Sequence, residues 1–125
     1  MRPLSSIFLV FAFAAVAVAA SSSRWQHVPA KDHARTSPLA NQPEAAAAGA
    51  QVYDDHCLQC HKADARGDGR RRPSLRSERI RTATDGDIEW FLRQGDLAHG
   101  MPTWSSLPEA QRWQLIAYLR SLPYE

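Results

Sequence analysis

Apolar and small residues recur at helical spacing in three stretches of the chain, and polar segments separate these stretches. The first stretch begins at Asn41, where Pro43 and Glu44 lie at positions expected for the first turn of a helix. Spacings of three and four place the following residues on one helical face: Ala46, Gly49, Ala50, Tyr53 and Cys57. Gly49 costs about 1 kcal/mol of helix stability relative to alanine. We therefore expect another helix to approach closely at Gly49.

Two further helices are predicted in the C-terminal half of the chain. The first begins with the capping pair Thr84 and Asp87, and Gly95 ends it. The second begins with a similar pair, Ser106 and Glu109, and ends before a proline. Their apolar stripes are Ile88, Phe91 and Leu92 in the first helix and Leu115, Tyr118, Leu119 and Leu122 in the second. No stretch alternates with a period of two residues, so we predict an all-α domain with about three main helices and long loops.

The first 40 residues have a different character. A positive charge at Arg2 precedes an apolar run over residues 7–20, and the run ends in small residues that include Ala17 and Ala19. This layout is typical of a secretory signal peptide. The run is shorter than the ~20 residues that a membrane-spanning helix needs, so an uncleaved anchor is the alternative. We expect a signal peptide over residues 1–20, a flexible linker or arm over the polar residues 21–40, and the folded domain over residues 41–125.

Positive charge is concentrated in one segment. The chain has 125 residues and a formal net charge of +2, which fits one small domain and gives no reason to expect a nucleic-acid partner. Seven arginines crowd residues 66–81 against only Asp68 and Glu78: Arg66, Arg70, Arg71, Arg72, Arg76, Arg79 and Arg81. The segment is either a solvated loop or an electropositive docking surface for an acidic partner.

The two cysteines of the chain, Cys57 and Cys60, are followed directly by His61. A structural zinc site needs four ligands, and the sequence contains no second ligand pair. A redox dithiol is typical of a βαβ pattern, and no strand is predicted here. The remaining alternative is the attachment of a haem.

A haem would use all three residues. Cys57 and Cys60 lie one helical turn apart, so both thiols can add to the vinyl groups of one flat macrocycle, and His61 is placed to coordinate the iron. A domain over residues 41–125 with long loops is close to the size below which an apolar core rarely suffices. A large apolar cofactor would complete the core of such a domain.

Met101 is the candidate for the second axial ligand. Removal of the signal peptide takes Met1 with it, which leaves Met101 as the only methionine of the mature chain. Met101 lies in a loop with Gly95, Gly100 and Pro102, and coordination of iron by its sulfur would explain a methionine at this position. A methionine that only packs under the loop is the alternative.

The histidines other than His61 differ in how well they could replace Met101. His99 is close to it in sequence and stays open as a nitrogen ligand. His56 is tied to the attachment side of the haem by its neighbour Cys57. His27 and His33 lie in the polar arm and are expected to be solvated.

Five segments follow one another in a fixed order between residues 41 and 123. They are AAGAQVYDDHCLQCH, GDGRRRPSL, TDGDIEWFLRQG, HGMPTW and RWQLIAYLRSL. In this order they resemble the small monohaem class I cytochromes c of the bacterial periplasm. The resemblance implies the all-α class I cytochrome c fold around one covalently bound haem c.

The resemblance also implies roles for individual residues. Cys57 and Cys60 would hold the haem by thioether bonds, His61 would be its proximal ligand and Met101 its distal ligand. The Pro73 carbonyl would accept a hydrogen bond from the His61 imidazole and fix the orientation of the ring.

The resemblance also implies a helix crossing, and the sequence departs from the family pattern in two places. Gly49 and Tyr53 would cross the C-terminal helix near Tyr118. Lys62 stands where many relatives have glycine, which could alter the turn after the proximal ligand. The three arginines at positions 70–72 precede the proline where relatives are usually less charged.

These features predict an electron carrier rather than an enzyme, because two axial ligands would leave no position on the iron for a substrate. The partners would be redox proteins, with a dehydrogenase or reductase as donor and an oxidase or reductase as acceptor. The alternative is a haem enzyme or ligand sensor in which Met101 is labile. We expect a periplasmic location, or a membrane-anchored one facing the periplasm if the signal segment is retained.

Overall fold

The computed structural model of the protein describes residues 24–125. The predicted signal peptide over residues 1–20 lies outside the described residues, as does the beginning of the predicted arm. Over the described part of the chain, no helix is both long enough and apolar enough to cross a membrane.

Residues 24–125 are helical and contain no named strand, which confirms the all-α prediction. Short 3-10 helices cover Arg24–His27 and Leu97–His99. An isolated antiparallel bridge joins Asp96 to Met101. The α-helices are α1 (Ala30–His33), α2 (Pro43–His56), α3 (Leu58–His61), α4 (Glu78–Thr82), α5 (Asp85–Gln94) and α6 (Glu109–Ser121).

Helices α2, α5 and α6 are the three main helices that the apolar pattern predicts. Helix α5 begins as expected, because Thr84 Oγ1 accepts a hydrogen bond from the Asp87 N–H at 3.1 Å and the Thr84 N–H donates to the Asp87 carboxylate at 2.9 Å. Gly95 follows the last residue of α5 with a φ of 63°. A glycine takes this left-handed backbone at low cost, so the predicted end of the helix is confirmed.

Prolines set the beginnings of the other two main helices. Pro43 is the first residue of α2, with Gln42 rather than Asn41 at the cap. The predicted cap at Ser106 is wrong, because α6 begins directly after Pro108. The Pro108 carbonyl accepts the first backbone hydrogen bonds of α6, and its fixed φ of −51° suits the start of a helix.

Helices α2 and α6 cross in close contact. A Cβ atom added to Gly49 would lie 1.9 Å from the backbone oxygen of Gln114 and 2.9 Å from the Cβ of Tyr118. Beside this point the rings of Tyr53 and Tyr118 pack with their centroids 5.2 Å apart. The close approach predicted at Gly49 is confirmed, and it explains why a helix accepts a glycine there.

The apolar core lies between the three main helices. Tyr53 of α2 is fully buried at the centre of it, and Ile80 of α4 extends the core at one end. The other apolar side chains of α2, α5 and α6 that are buried in this core are Ala45, Val52, Ile88, Leu92, Trp113, Leu115, Ile116 and Leu119.

Residues 25–37 pack against the domain, and we call them the N-terminal strap. Trp25 stacks on Phe91 of α5, with ring centroids 4.6 Å apart and 6° between the planes. Thr84 Oγ1 donates to the His33 carbonyl at 3.0 Å, and the His33 ring contacts the Asp87 carboxylate at 2.8 Å. These contacts correct the expectation of a flexible linker or arm over residues 21–40 for the part that the structure describes, and they give His33 a protein partner.

Close backbone approach holds the strap to α5. A Cβ atom added to Gly86 would lie 1.9 Å from the Asp32 carbonyl oxygen and 2.8 Å from the Arg35 carbonyl oxygen. Apart from the stacking of Trp25, the strap therefore binds through its backbone and through polar side chains. This mode of binding explains why it has no apolar period that could predict it.

A buried ionic cluster joins the strap to α5 and α6. The fully buried Glu89 carboxylate accepts hydrogen bonds from Arg35 of the strap, Arg93 of α5 and Arg112 of α6, each at 2.8 Å. Arg93 also donates to Asp32 of the strap at 2.5 Å. We call Glu89 and its three arginines the Glu89 cluster. Direct pairing of this kind is what makes a buried charge tolerable.

Candidate functional site

Cys57, Cys60 and His61 lie where α2 ends and α3 begins. The Cys57 N–H donates to the Tyr53 carbonyl at 2.8 Å and so closes α2. The N–H groups of Cys60 and His61 both donate to the Cys57 carbonyl, at 3.1 and 2.8 Å. The two cysteines are not joined to each other by a disulfide, and both lie on this single turn.

Burial distinguishes the two thiols. Cys57 is buried and Cys60 is half-buried. Burial, and then the neighbouring Cys60, raise the pKa of the Cys57 thiol to about 12. A redox dithiol needs a lowered thiol pKa, so this environment argues against a redox dithiol. Within residues 24–125, no group of three or more histidine, cysteine, aspartate or glutamate side chains is arranged to hold a metal ion.

The His61 ring is held by the loop that follows it. His61 Nδ1 lies 3.3 Å from the Pro73 carbonyl oxygen. A carbonyl can only accept, so Nδ1 carries the proton in this hydrogen bond and Nε2 keeps its lone pair. Burial lowers the pKa of His61 below its usual value, which favours the neutral ring that binds metal ions.

Lys62 keeps the backbone conformation that a glycine would adopt more readily. Its φ is 69°, in the left-handed region that non-glycine residues rarely occupy. The Tyr53 hydroxyl donates to the Lys62 carbonyl at 2.6 Å and the Ala65 N–H donates to the same oxygen at 3.1 Å. Lys62 thus replaces the glycine of many relatives without opening the turn after His61, which stays tight at some cost in backbone strain.

Met101 lies in a short loop that closes on itself. Its N–H and carbonyl exchange hydrogen bonds with the backbone of Asp96, at 3.0 and 2.8 Å. Gly95 and Gly100, on either side of the 3-10 helix, both have positive φ. A Cβ atom added to Gly95 would lie 2.5 Å from the Pro102 carbonyl oxygen, so the loop is tightly folded there. The Met101 side chain is half-buried and packs against the apolar core.

A cavity of about 470 Å³ lies between the methionine loop and the arginine-rich segment. Its lining comes from Arg71 on one side and from residues 97–100 on the other. Leu97 in this lining is 71% exposed, which is unusual for a large apolar side chain. The fold thus brings together two loops that lie far apart in the sequence.

Residues 44–119 match the family model described as cytochrome C oxidase, cbb3-type, subunit III. The match covers more than half of the chain and includes both cysteines, His61, Pro73 and Met101. The chain belongs to this family of c-type cytochrome domains. Its fold is therefore the all-α class I cytochrome c fold, and its cofactor is a covalently bound c-type haem. No curated protein and no solved structure gives a significant match to the chain.

The side chains of this cytochrome fit its cofactor. They provide two thiols on one helical turn, an imidazole with its Nε2 lone pair available, and a thioether sulfur in a braced loop. The bound haem supplies the one-electron change between ferrous and ferric iron. The cytochrome domain therefore acts in haem-based electron transfer, with redox proteins as its partners.

The arginine-rich segment contributes two residues to this region whose individual contacts sequence reasoning missed. The neighbouring Cys60 side chain raises the pKa of Arg72. Asp68 accepts hydrogen bonds from two backbone N–H groups of the same loop. In the sequence both residues appear only within a run of charges, and the folded loop shows which of these charges lie next to the turn from Cys57 to His61.

Proposed function

We propose that this cytochrome is a periplasmic carrier of single electrons and not an enzyme. In this proposal Cys57 and Cys60 are joined to the haem by thioether bonds, and His61 and Met101 are its axial ligands. The observation that carries the proposal is the contact between His61 and Pro73, because it fixes the ring with Nε2 available for iron. Two filled axial positions leave none for a substrate or a gas.

The two candidates for the distal ligand differ in their surroundings. His99 is 75% exposed, and its Nδ1 contacts the Asp96 carboxylate at 2.7 Å. Met101 is half-buried against the apolar core and is held by the backbone bridge to Asp96. These differences favour the methionine sulfur, which also favours ferrous iron and a higher reduction potential.

A periplasmic location is supported by the signal-peptide pattern over residues 1–20 and by the family, whose domains are typically exported. Retention of the signal segment would instead hold the domain at the periplasmic face of the membrane.

The partner surface that we propose surrounds the cavity between the two loops. Within residues 24–125, the Arg70 and Arg71 side chains have no ion pair, whereas Arg66 and Arg81 are paired with acidic residues. Exposed Leu97 lies on the same cavity as Arg71. An apolar residue beside unpaired positive charge suits a redox partner with an acidic docking surface.

The test is expression of the full chain together with a haem-ligation system. We expect the intact mass of the exported product to show one covalent haem and loss of the first 19 or 20 residues. We expect Cys57→Ala or Cys60→Ala to leave the haem attached through one bond only. A mass that includes the N-terminal segment would establish the anchored form instead.

The axial ligands are tested by optical spectra of the ferric protein. The wild type should show the weak sulfur-to-iron charge-transfer band, Met101→Ala should lose it, and the matched variant His99→Ala should keep it. A high-spin ferric spectrum in the wild type would contradict the carrier proposal and favour a haem enzyme or ligand sensor with a labile Met101.

A further inference from the structure

The loop over residues 67–73 is folded around the side chain of Asp68. Asp68 Oδ1 accepts hydrogen bonds from the N–H groups of Arg70 and Arg72, at 2.9 and 3.0 Å. The Asp68 N–H donates to the Arg72 carbonyl at 3.0 Å. The same backbone hydrogen bonds lower the pKa of Asp68. One exposed side chain therefore closes residues 68–72 into a turn, as aspartate commonly does in turns.

Both ends of this turn are attached to His61. On one side the Gly67 N–H donates to the His61 carbonyl at 2.9 Å. On the other side the Pro73 carbonyl meets the His61 ring at Nδ1. A Cβ atom added to Gly67 would lie 1.9 Å from the Arg72 carbonyl oxygen, so the two ends also touch each other.

The closure of the turn fixes the Pro73 carbonyl. Pro73 follows Arg72 directly, and both the N–H and the carbonyl of Arg72 are bonded to Asp68. The Arg72 guanidinium lies 3.7 Å from the Asp68 carboxylate, which adds a weaker and solvent-screened contact. Without the Asp68 acceptor, a loop with glycine at positions 67 and 69 has several other backbone conformations open to it.

We propose that Asp68 is a positioning residue for His61, acting through the turn of residues 68–72 and the Pro73 carbonyl. By holding that carbonyl against the Nδ1 proton, Asp68 increases the electron donation of the imidazole to iron. A stronger donor stabilises ferric over ferrous iron and lowers the reduction potential. The inference rests on the proposed role of His61 as the proximal ligand.

The test compares Asp68→Ala with Asp68→Asn and Glu78→Ala in the haem-loaded protein. Asp68→Ala removes the acceptor and the charge, and Asp68→Asn keeps the acceptor oxygen but removes the charge. Glu78→Ala removes an exposed charge of the same segment that is paired with Arg81 and does not bond the turn. The readouts are the midpoint potential and the exchange rate of the His61 Nδ1 proton, measured by NMR.

We expect Asp68→Ala to raise the midpoint potential and to speed exchange of the Nδ1 proton roughly fivefold, the factor that corresponds to loss of one ordinary hydrogen bond. Asp68→Asn should exchange this proton at nearly the wild-type rate, and Glu78→Ala should leave both readouts close to wild type. Should Asp68→Ala not mature, Asp68→Ser provides a shorter acceptor, and its exchange rate should exceed that of Asp68→Asn.

Unchanged exchange in Asp68→Ala would overturn the inference, and so would equal shifts of potential in Asp68→Ala and Glu78→Ala, which would indicate a simple charge effect. The proposed function has a separate readout in the wild type. If the His61 ring shows no hyperfine-shifted signals in the ferric wild-type protein, His61 is not a ligand, and both proposals fail together.

Discussion

The Glu89 cluster and the arginine-rich segment over residues 66–81 contain the same types of charged side chain in opposite environments. In the cluster, Arg112 is buried and meets a fully buried carboxylate from which water is excluded. In the segment, Arg66 and Arg81 pair with carboxylates that remain in contact with solvent. The Glu89 cluster joins the strap, α5 and α6, whereas the arginine-rich segment faces the solvent.

The difference decides what an arginine contributes in each region. Breaking a buried ion pair leaves a charge without water or partner, and this is costly. An exposed pair is screened by solvent and salt and contributes little to stability. Arginines of the cluster should therefore affect folding, and arginines of the segment should affect association with a charged partner.

The largest loss of stability is expected from Glu89→Ala. Removal of the carboxylate leaves the buried Arg112 without its charged partner. We expect the free energy of unfolding to fall by about 3–5 kcal/mol, measured by denaturant unfolding of the haem-loaded protein. Glu78→Ala is the matched control in the exposed segment and should leave the unfolding midpoint unchanged. Equal midpoints for the two variants would contradict the contrast between the regions.

The same contrast explains what the sequence could and could not predict. Local spacing encodes the three main helices, the turn from Cys57 to His61 and the glycine at the helix crossing, so these features were predictable. The pairs Arg35–Glu89 and Asp32–Arg93 join residues 54 and 61 positions apart. Such ionic contacts leave no periodic signal, and the strap therefore resembled a linker. The Pro73 contact followed from the family resemblance and not from spacing.

The second-largest loss of stability is expected at the interface between the strap and α5. Gly86→Ala forces a Cβ atom against the strap backbone, so we expect a loss of about 1–3 kcal/mol, as for other overpacked sites. The strap should separate from α5, which would expose Trp25 to solvent and make residues 25–37 sensitive to limited proteolysis. Measurements of Trp25 fluorescence and of the cleavage pattern would detect this separation.

Gly49→Ala is the control for the strap experiment, because it places a Cβ atom 1.9 Å from the Gln114 backbone at the crossing of α2 and α6. It should destabilise the whole domain, so that the strap and the domain are cleaved together. A strap that stays as protected in Gly86→Ala as in the wild type would show that the close approach at Gly86 does not hold it.

The third prediction concerns the rate of association with a redox partner and not the stability of the fold. Replacing both Arg70 and Arg71 with glutamine removes charges that have no ion pair within residues 24–125. We expect the rate of electron exchange with an acidic redox protein to fall roughly tenfold at low salt, and its dependence on ionic strength to become weaker. The melting temperature should not change. Stopped-flow measurements over a series of salt concentrations would show both effects.

The matched control replaces Arg66 and Arg81 with glutamine. It removes the same number of charges from the same segment, but each of these arginines is already paired. A smaller loss of rate is expected. Equal losses in the two double variants would mean that net charge alone attracts the partner, without a local docking surface at the cavity.

The smallest effect is expected at Glu109, which lies at the edge of the Glu89 cluster. A hydrogen bond from Arg35, and then one from Trp113, lower the pKa of Glu109 below its ordinary value of 4.5. The folded state therefore binds a proton at Glu109 less readily than the unfolded state does. The resulting stability is fully present above the ordinary value and is lost as the pH falls through the lower folded value.

Glu109→Gln should accordingly be less stable than the wild type at pH 7, and this difference should shrink as the pH falls from 5 towards 2. Denaturant unfolding across this range measures it. Glu44→Gln in the first turn of α2 is the control, because Glu44 has no ion pair within residues 24–125. A difference for Glu109→Gln that stays constant with pH would show that the contact with Arg35 does not depend on charge.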